Sequence, residues 1–141
     1  MDVDPHVPEG FRRHDRKSPV TDAWEPIYRQ VSDETVKLGL RAATAHCNSR
    51  GFVHGGVISA LADNVMGLAC AHKMGGSAMG VSLLTVTLTV DFLGSAQTGQ
   101  WLEFEPVFVK TGGTLCFVQA FVKADGAICA RANSVFRAMR K

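Results

Sequence analysis

One apolar stretch in the middle of this sequence limits the folds that it can adopt. It runs from residue 55 to about residue 73, which is longer than a normal strand, and its Ala, Leu and Met content favours an α-helix. A helix that is apolar nearly all round must be buried on every side. We therefore expect the rest of the chain to wrap around it.

Strand patterns precede and follow this helix. The clearest is at residues 84–92, where Leu, Val and Phe alternate with Thr and Asp in the period of two that is typical of a strand. Pro106 predicts an edge or a bulge in the strand that contains it, and the Asp125-Gly126 pair predicts a tight hairpin turn. Six strands are predicted, at residues 24–31, 35–45, 84–92, 101–110, 114–123 and 127–139.

This order of elements predicts the α+β class, with an antiparallel curved sheet of about six strands wrapped around one long central helix. The first two strands should form a hairpin and the last four a meander, but the pattern does not give the spatial order of the strands. The chain has 141 residues, enough for one domain. We assign residues 20–141 to that domain and residues 1–19, which are rich in Pro and charge, to a flexible N-terminal arm.

Composition and charge exclude several classes of protein. Hydrophobic residues make up 46% and charged residues 20%, which excludes a disordered chain, and a net charge of +2 is too small for a nucleic-acid binder. The apolar stretch contains Asp63, which disfavours a membrane span. Four cysteines without a Cys-x-x-Cys pair are expected to be free core thiols, with no metal site. With no secretory signal visible, we expect a cytoplasmic protein.

Asp63 is the most informative residue, because it places a carboxylate in a helix that otherwise avoids charge. On helical spacing its neighbours include the small residues Ser59, Gly67 and Cys70. Small side chains let a ligand or another backbone come close, so Asp63 could act as a general base. The alternative is an aspartate that holds a neighbouring loop inside the fold.

A second candidate feature is the run His54-Gly55-Gly56 immediately before the helix. Glycines expose backbone N–H groups, and a helix N-terminus carries about half a positive charge, so an oxyanion could be stabilised there. The alternatives are a tight strand-to-helix turn and a structural role for His54.

Taken together, these motifs resemble one known family. Residues 48–57, Asn-Ser-Arg-Gly-Phe-Val-His-Gly-Gly-Val, and residues 60–63, Ala-Leu-Ala-Asp, resemble the hotdog-fold acyl-CoA thioesterases of the phenylacetate-degradation type. Residues 86–93 also look like a strand of that family, and the resemblance runs from about residue 20 to residue 139. It implies a hotdog fold, an acyl-CoA substrate and no metal or organic cofactor. It also implies a homo-oligomer, either a dimer or a dimer of dimers (a homotetramer), with active sites between subunits.

The resemblance also implies roles for individual residues. The Gly55 N–H would polarise the thioester carbonyl, Asp63 of the adjacent subunit would activate water or attack directly, and Asn48 would orient the reacting groups. A Ser or Thr early in the next strand would assist the carboxylate, and Ser82 and Thr85 are both candidates. Alternation places Thr85 on a polar face with the other strand threonines, so we favour Thr85 and assign Ser82 to substrate binding. His54 is a further catalytic candidate. Gly56 and Arg50 are further candidates for substrate binding.

The predicted function is therefore hydrolysis of an acyl-CoA thioester. One alternative is a non-catalytic protein that binds acyl-CoA in the same pocket. A less favoured one is an enoyl-CoA hydratase or dehydratase, which would need a differently placed His and acid. The sequence does not decide the acyl group, nor which cation holds the coenzyme A phosphates; the candidates are Arg50, Lys110, Lys123, Arg131 and Arg137.

Overall fold

A computed structural model describes residues 6–75 and 81–140 of the chain. One long helix, α1, spans Gly55–Lys73. Two short 3-10 helices lie at Pro19–Trp24 and Thr44–His46. The strands are β1 (Arg12–Arg13), β2 (Tyr28–Val31), β3 (Val36–Arg41), β4 (Val81–Phe92), β5 (Trp101–Thr111), β6 (Leu115–Ala124) and β7 (Ala127–Arg140).

The strands form one antiparallel sheet in the order β1-β2-β3-β5-β6-β7-β4, and α1 packs against five of them. This confirms the predicted α+β fold and the hairpin of β2 and β3. The meander prediction was wrong for β4, which pairs with β7 at the edge of the sheet instead of with β5. The chain after β4 therefore passes β7 and β6 to reach β5 in the middle of the sheet, and only β5, β6 and β7 form a meander.

The core lies between α1 and the inner face of the sheet. Leu61, Val65 and Met66 of the helix are fully buried against sheet residues such as Leu102 and Phe104. Burying one such side chain stabilises the fold by about 1.5–3 kcal/mol. Every helical residue from 57 to 72 is buried or half-buried, as expected for a helix that avoids charge. Asp63 is thus held in a mostly apolar setting.

The hairpin and bulge predictions identify real features. Asp125 and Gly126 both have positive φ, 48° and 86°, and join β6 to β7 in the tight turn that the Asp-Gly pair predicts. β5 is interrupted by a register shift between Pro106 and Phe108, because proline cannot donate to the ladder. β5 is a central strand, so the bulge, and not an edge position, accommodates Pro106.

The segment expected to be a flexible arm contacts the sheet. Arg12 and Arg13 pair with β2, and the ring centroid of Phe11 lies 5.3 Å from that of Trp101. The carboxylate of Asp15 lies 2.8 Å from the guanidinium of Arg29. These contacts add the seventh strand and hold the following residues beside α1.

The cysteine prediction was wrong for two of the four residues. Cys70 on α1 and Cys116 on β6 form a disulfide, because the helix face and the strand meet in the core with their Cα atoms 6.4 Å apart. Cys47 and Cys129 are free, and burial raises the pKa of the Cys129 thiol. The argument that four free thiols indicate a reducing compartment therefore does not hold, and the cytoplasmic location stays a prediction. Within residues 6–75 and 81–140, no helix has the length and hydropathy needed to cross a membrane.

Candidate active site

Asp63 and Thr85 form the centre of the candidate site. The Thr85 hydroxyl donates a hydrogen bond to Oδ1 of Asp63, with the two oxygens 2.8 Å apart. Asp63 is half-buried in the middle of α1, and Thr85 lies on the edge strand β4. Both line a cavity of about 340 Å³, which also contains Ser82, Leu83 and Phe136. The carboxylate is therefore held in one orientation at the wall of a cavity.

A bulge in β4 explains why Thr85 faces the helix. The pairing with β7 shifts register between Thr85 and Thr87, so the side chains before and after Val86 differ in phase. Thr85 is opposite the buried Phe136, whereas Thr87 and Thr89 line a separate cavity on the other face of the sheet. The alternation argument thus selected Thr85 for a wrong reason, since the three threonines do not share a face.

Ser82 lies in the same cavity as Asp63 and Thr85. In the described part of the chain, Thr85 is the side chain that donates to Asp63, and Ser82 forms no hydrogen bond with it. The structure therefore brings all three predicted residues together and pairs Thr85, not Ser82, with the carboxylate.

The N-terminus of α1 forms a second part of the candidate site. His54 is the N-cap, and its Nδ1 accepts a hydrogen bond from the Gly56 N–H, with the two nitrogens 2.8 Å apart. The Gly55 N–H has no partner among the described residues, as expected for the first helical position. A Cβ at Gly55 would lie 3.1 Å from Cζ of Phe92, so the glycine permits this close ring contact. Of the two glycine N–H groups, that of Gly55 is the one open to a ligand.

A cavity of about 350 Å³ opens beside Gly55 and is lined by Arg50, Phe52 and Phe92 among others. The Arg50 guanidinium lies 5.7 Å from the centroid of the Phe52 ring. Asn48 shapes the turn that carries Arg50, because its Oδ1 accepts from the N–H groups of Arg50 and Phe52 at 2.9 and 3.3 Å. Its amide NH₂ group has no partner within the described ranges.

One chain does not bring Gly55 and Asp63 together. They are eight residues apart on the same helix, which corresponds to about 12 Å along its axis at 1.5 Å per residue. They also line different cavities. A single carbonyl group therefore cannot contact Gly55 and Asp63 of the same chain.

The other predicted phosphate-binding cations differ in their surroundings. Lys123 and Lys37 both contact Glu105, at 3.1 and 2.8 Å, and hydrogen bonding to Lys37 is the main cause of a lowered pKa for Glu105. Arg131 is paired with Asp91 at 2.9 Å. Arg50, in contrast, lines the cavity at Gly55. As a candidate for binding phosphate, its position is therefore better than those of Lys123 and Arg131, which are paired with carboxylates.

Sequence reasoning missed the contribution of the N-terminal segment. His14, Arg16, Lys17 and Ser18 line the Asp63 cavity, although the resemblance does not reach them. The signal available in the sequence was only a charge-rich stretch. His14 is buried, and burial is the main cause of its lowered pKa. Among the residues described, no three His, Cys, Asp or Glu side chains cluster as metal ligands.

Comparison with known proteins agrees with this architecture. The family model of the Thioesterase superfamily matches residues 50–130. A Pseudomonas aeruginosa protein named "Putative esterase PA0474" is 36% identical over 132 residues, covering 93% of this chain and 96% of that protein. Among solved structures, the Escherichia coli PaaI protein of the phenylacetic acid degradation operon has a TM-score of 0.74 at 17% identity, covering 86% of this chain and 85% of its own.

A second solved structure, that of smu.793 from Streptococcus mutans bound to acetyl CoA, has a TM-score of 0.70 at 24% identity, covering 91% of this chain and 98% of its own. The TM-scores show that both solved structures share the fold of this chain. The predicted resemblance is therefore confirmed: the chain belongs to the thioesterase superfamily and has a PaaI-like hotdog fold.

Proposed function

We propose that this protein hydrolyses an acyl-CoA thioester to a free acid and coenzyme A. The observation that carries the proposal is the Asp63–Thr85 pair, a carboxylate fixed in one orientation at the wall of a cavity. A volume of about 340 Å³ is in the range of small-molecule sites. Membership of the thioesterase superfamily supports thioester hydrolysis, and the acetyl CoA bound by the Streptococcus mutans protein supports an acyl-CoA substrate.

The proposed reaction uses water, Asp63 and Gly55. The water oxygen attacks the thioester carbonyl carbon, its proton passes to Asp63, and the carbonyl oxygen becomes an oxyanion. The Gly55 N–H, at the positive end of α1, donates a hydrogen bond to that oxyanion. When the intermediate collapses, the C–S bond breaks and the sulfur leaves with the proton from Asp63. The products are the free acid and the coenzyme A thiol.

We propose that each site combines Asp63 of one copy with Gly55 of another. The separation of about 12 Å along α1 prevents one chain from placing both on one carbonyl. A second observation supports association: β4 is a twelve-residue edge strand whose Leu84 and Val86 are 53% and 55% exposed. A long apolar edge strand is a template for pairing with another chain. Light scattering would give the assembly state, for which we propose a dimer or a dimer of dimers.

The remaining predicted residues have narrower proposed roles. Asn48 orients the reacting groups through its free amide NH₂ group, and Arg50 contacts the coenzyme A phosphates. His54 serves as the N-cap that aligns the helix terminus, because its Nδ1 is already bonded to the Gly56 N–H. The same bond occupies the Gly56 donor, which leaves Gly55 as the oxyanion donor.

The test is thiol release from aryl-, short-chain and medium-chain acyl-CoA esters by wild type, Asp63→Asn and Asp125→Asn. Asp125 lies in the β6–β7 turn and accepts the Trp101 N–H at 2.9 Å, a contact that asparagine can keep. We expect Asp63→Asn to lose about 100-fold or more in turnover, as for removal of a general base, and the control to match wild type. Wild-type turnover by Asp63→Asn would overturn the mechanism.

Two other outcomes would replace the proposed activity. Tight binding of acyl-CoA with no turnover in wild type would identify a binding protein. Consumption of an enoyl-CoA without thiol release would identify a hydratase.

A further inference from the structure

The N-terminal segment at residues 14–18 forms one wall of the cavity that holds Asp63. Its first residue is held by a hydrogen bond from the His14 N–H to the Ile27 carbonyl at 2.8 Å, and its last begins a local turn in which the Ser18 carbonyl accepts from the Thr21 N–H at 3.0 Å. The Asp15–Arg29 ion pair adds a third contact. The segment is therefore positioned by the sheet and not merely adjacent to the cavity.

This wall carries positive charge and unused hydrogen-bonding capacity. Arg16 and Lys17 are exposed at the cavity, and neither forms an ion pair with a carboxylate among the described residues. His14 is only 9% exposed, and its Nδ1 is buried without a hydrogen-bond partner. A buried polar atom without a partner costs stability, and a hydrogen bond with a ligand is one way to satisfy it. Arg16 and Lys17 thus give this wall the charge to bind an anionic group.

Beside the polar residues Asn64, Ser82 and Thr85, the cavity has an apolar part. Gly67, Leu68 and Ala71 of α1 line it together with Leu83 and Phe136 of the sheet. A ligand that satisfies both sides has an apolar body and an anionic or hydrogen-bond-accepting end. Asp63 lies in this cavity, whereas Arg50, to which we assign the coenzyme A phosphates, lies in the separate cavity at Gly55. We therefore assign the space around Asp63 to the acyl group.

We propose that Arg16 and Lys17 select acyl groups that carry a second carboxylate at the end away from the thioester. The inference rests on the proposed hydrolysis and adds its substrate class: a dicarboxylic acyl-CoA whose methylene chain packs on Leu68, Leu83 and Phe136. His14 donates or accepts one hydrogen bond at the same oxygen-bearing end.

The test compares two esters of equal chain length, adipoyl-CoA and hexanoyl-CoA, which differ in a terminal carboxylate against a methyl group. Wild type, Arg16→Gln, Lys17→Gln and the double variant are assayed for kcat/KM. Arg12→Gln is the control, since Arg12 is an exposed arginine of β1 outside the cavity. We expect wild type to prefer adipoyl-CoA, each single variant to reduce that preference by about tenfold, the effect of one lost charge-assisted hydrogen bond, and the double variant to reduce it further. The control should keep the wild-type preference.

Two results would overturn the inference. An equal loss on both esters, with weaker inhibition by free coenzyme A, would assign the cations to the coenzyme A phosphates. An unchanged preference would show that the cations do not contact the substrate. If wild type hydrolyses neither ester, the proposed function fails separately. Calorimetric dissociation constants of the two esters then test this inference, because the variants should reduce the preference for binding adipoyl-CoA over hexanoyl-CoA.

Discussion

The Thr85 hydroxyl and the Asp63 carboxylate are joined across 22 residues of sequence by a hydrogen bond of 2.8 Å between Oγ1 and Oδ1. The bond connects the edge strand β4 to the middle of α1, and the bulge at Val86 is what turns Thr85 toward the helix. One carboxylate oxygen is thereby occupied, and the other can face a water molecule. In the mechanism that we propose, Thr85 is therefore a positioning residue.

Replacement of Thr85 tests that positioning role. Thr85→Val keeps the shape and removes the donor, so we expect kcat to fall about tenfold with little change in KM, because the carboxylate loses its fixed orientation. Thr85→Ser should restore most of the activity. Thr87→Val is the control, as Thr87 lies on the other face of the sheet. Equal activity of Thr85→Val and wild type would show that the hydrogen bond has no role in turnover.

Removal of a single N–H tests Gly55. Proline is favoured at the first position of a helix, and His54, at φ −65° and ψ 134°, already has a conformation that suits a following proline. Gly55→Pro should therefore keep the helix while turnover falls by about 100-fold or more, as for the loss of one oxyanion donor. Gly55→Ala retains the N–H, and the exposed Phe92 ring can move from the new Cβ. Comparable losses in both variants would indicate a steric effect instead.

Mixed assemblies test whether the site is shared between copies. Asp63→Asn and Gly55→Pro chains are co-expressed with different tags, and the assemblies carrying both tags are purified. In a symmetric dimer one of the two sites then has both native residues, so activity should reach about half of wild type although each parent is inactive. Activity as low as that of the parents would mean that each chain builds its own site.

His54 can be assigned to capping or to catalysis by two substitutions. His54→Ala removes the acceptor for the Gly56 N–H, and we expect it to cost about 1 kcal/mol of unfolding free energy, measured by urea denaturation. His54→Asn can cap the helix in the same way and should retain both stability and turnover. Loss of turnover in a stable His54→Asn would identify the ring as a catalytic group.

The sequence predicted the parts of the fold that depend on local pattern. The helix from residue 55, the alternating strand that became β4 and the Asp125-Gly126 turn all follow from periodicity or turn chemistry. The position of β4 beside β7 does not, because strand order depends on contacts between distant segments. The Cys70–Cys116 pair is of the same kind, since two residues 46 apart meet only in the folded core.

The sequence predicted the residues of the candidate site that stand out by type and position, but not the contacts that folding creates between them. Asp63 and Gly55 stand out by residue type and position alone, one as a charge in an apolar helix and the other as a glycine at its start. The partner of Asp63 depended on a bulge that no sequence signal marks. The wall formed by His14, Arg16 and Lys17 was missed because its place depends on the pairing of β1 with β2.

His14 gives the fold a dependence on pH that can be measured. Burial, followed by the charge of Arg29, lowers its pKa below 6.5, so the native state holds a neutral ring while the unfolded chain binds a proton near pH 6.5. The stability of the fold should therefore be full above pH 6.5 and decrease as the pH falls below that value toward the native pKa. The measurement is urea denaturation between pH 7.5 and 5.0. This interval lies above 4.5, the ordinary value from which the pKa of Glu105 is lowered, so it separates His14 from that carboxyl group. His14→Gln should show a smaller loss of stability over this interval than wild type, and an equal loss in the two proteins would contradict the assignment.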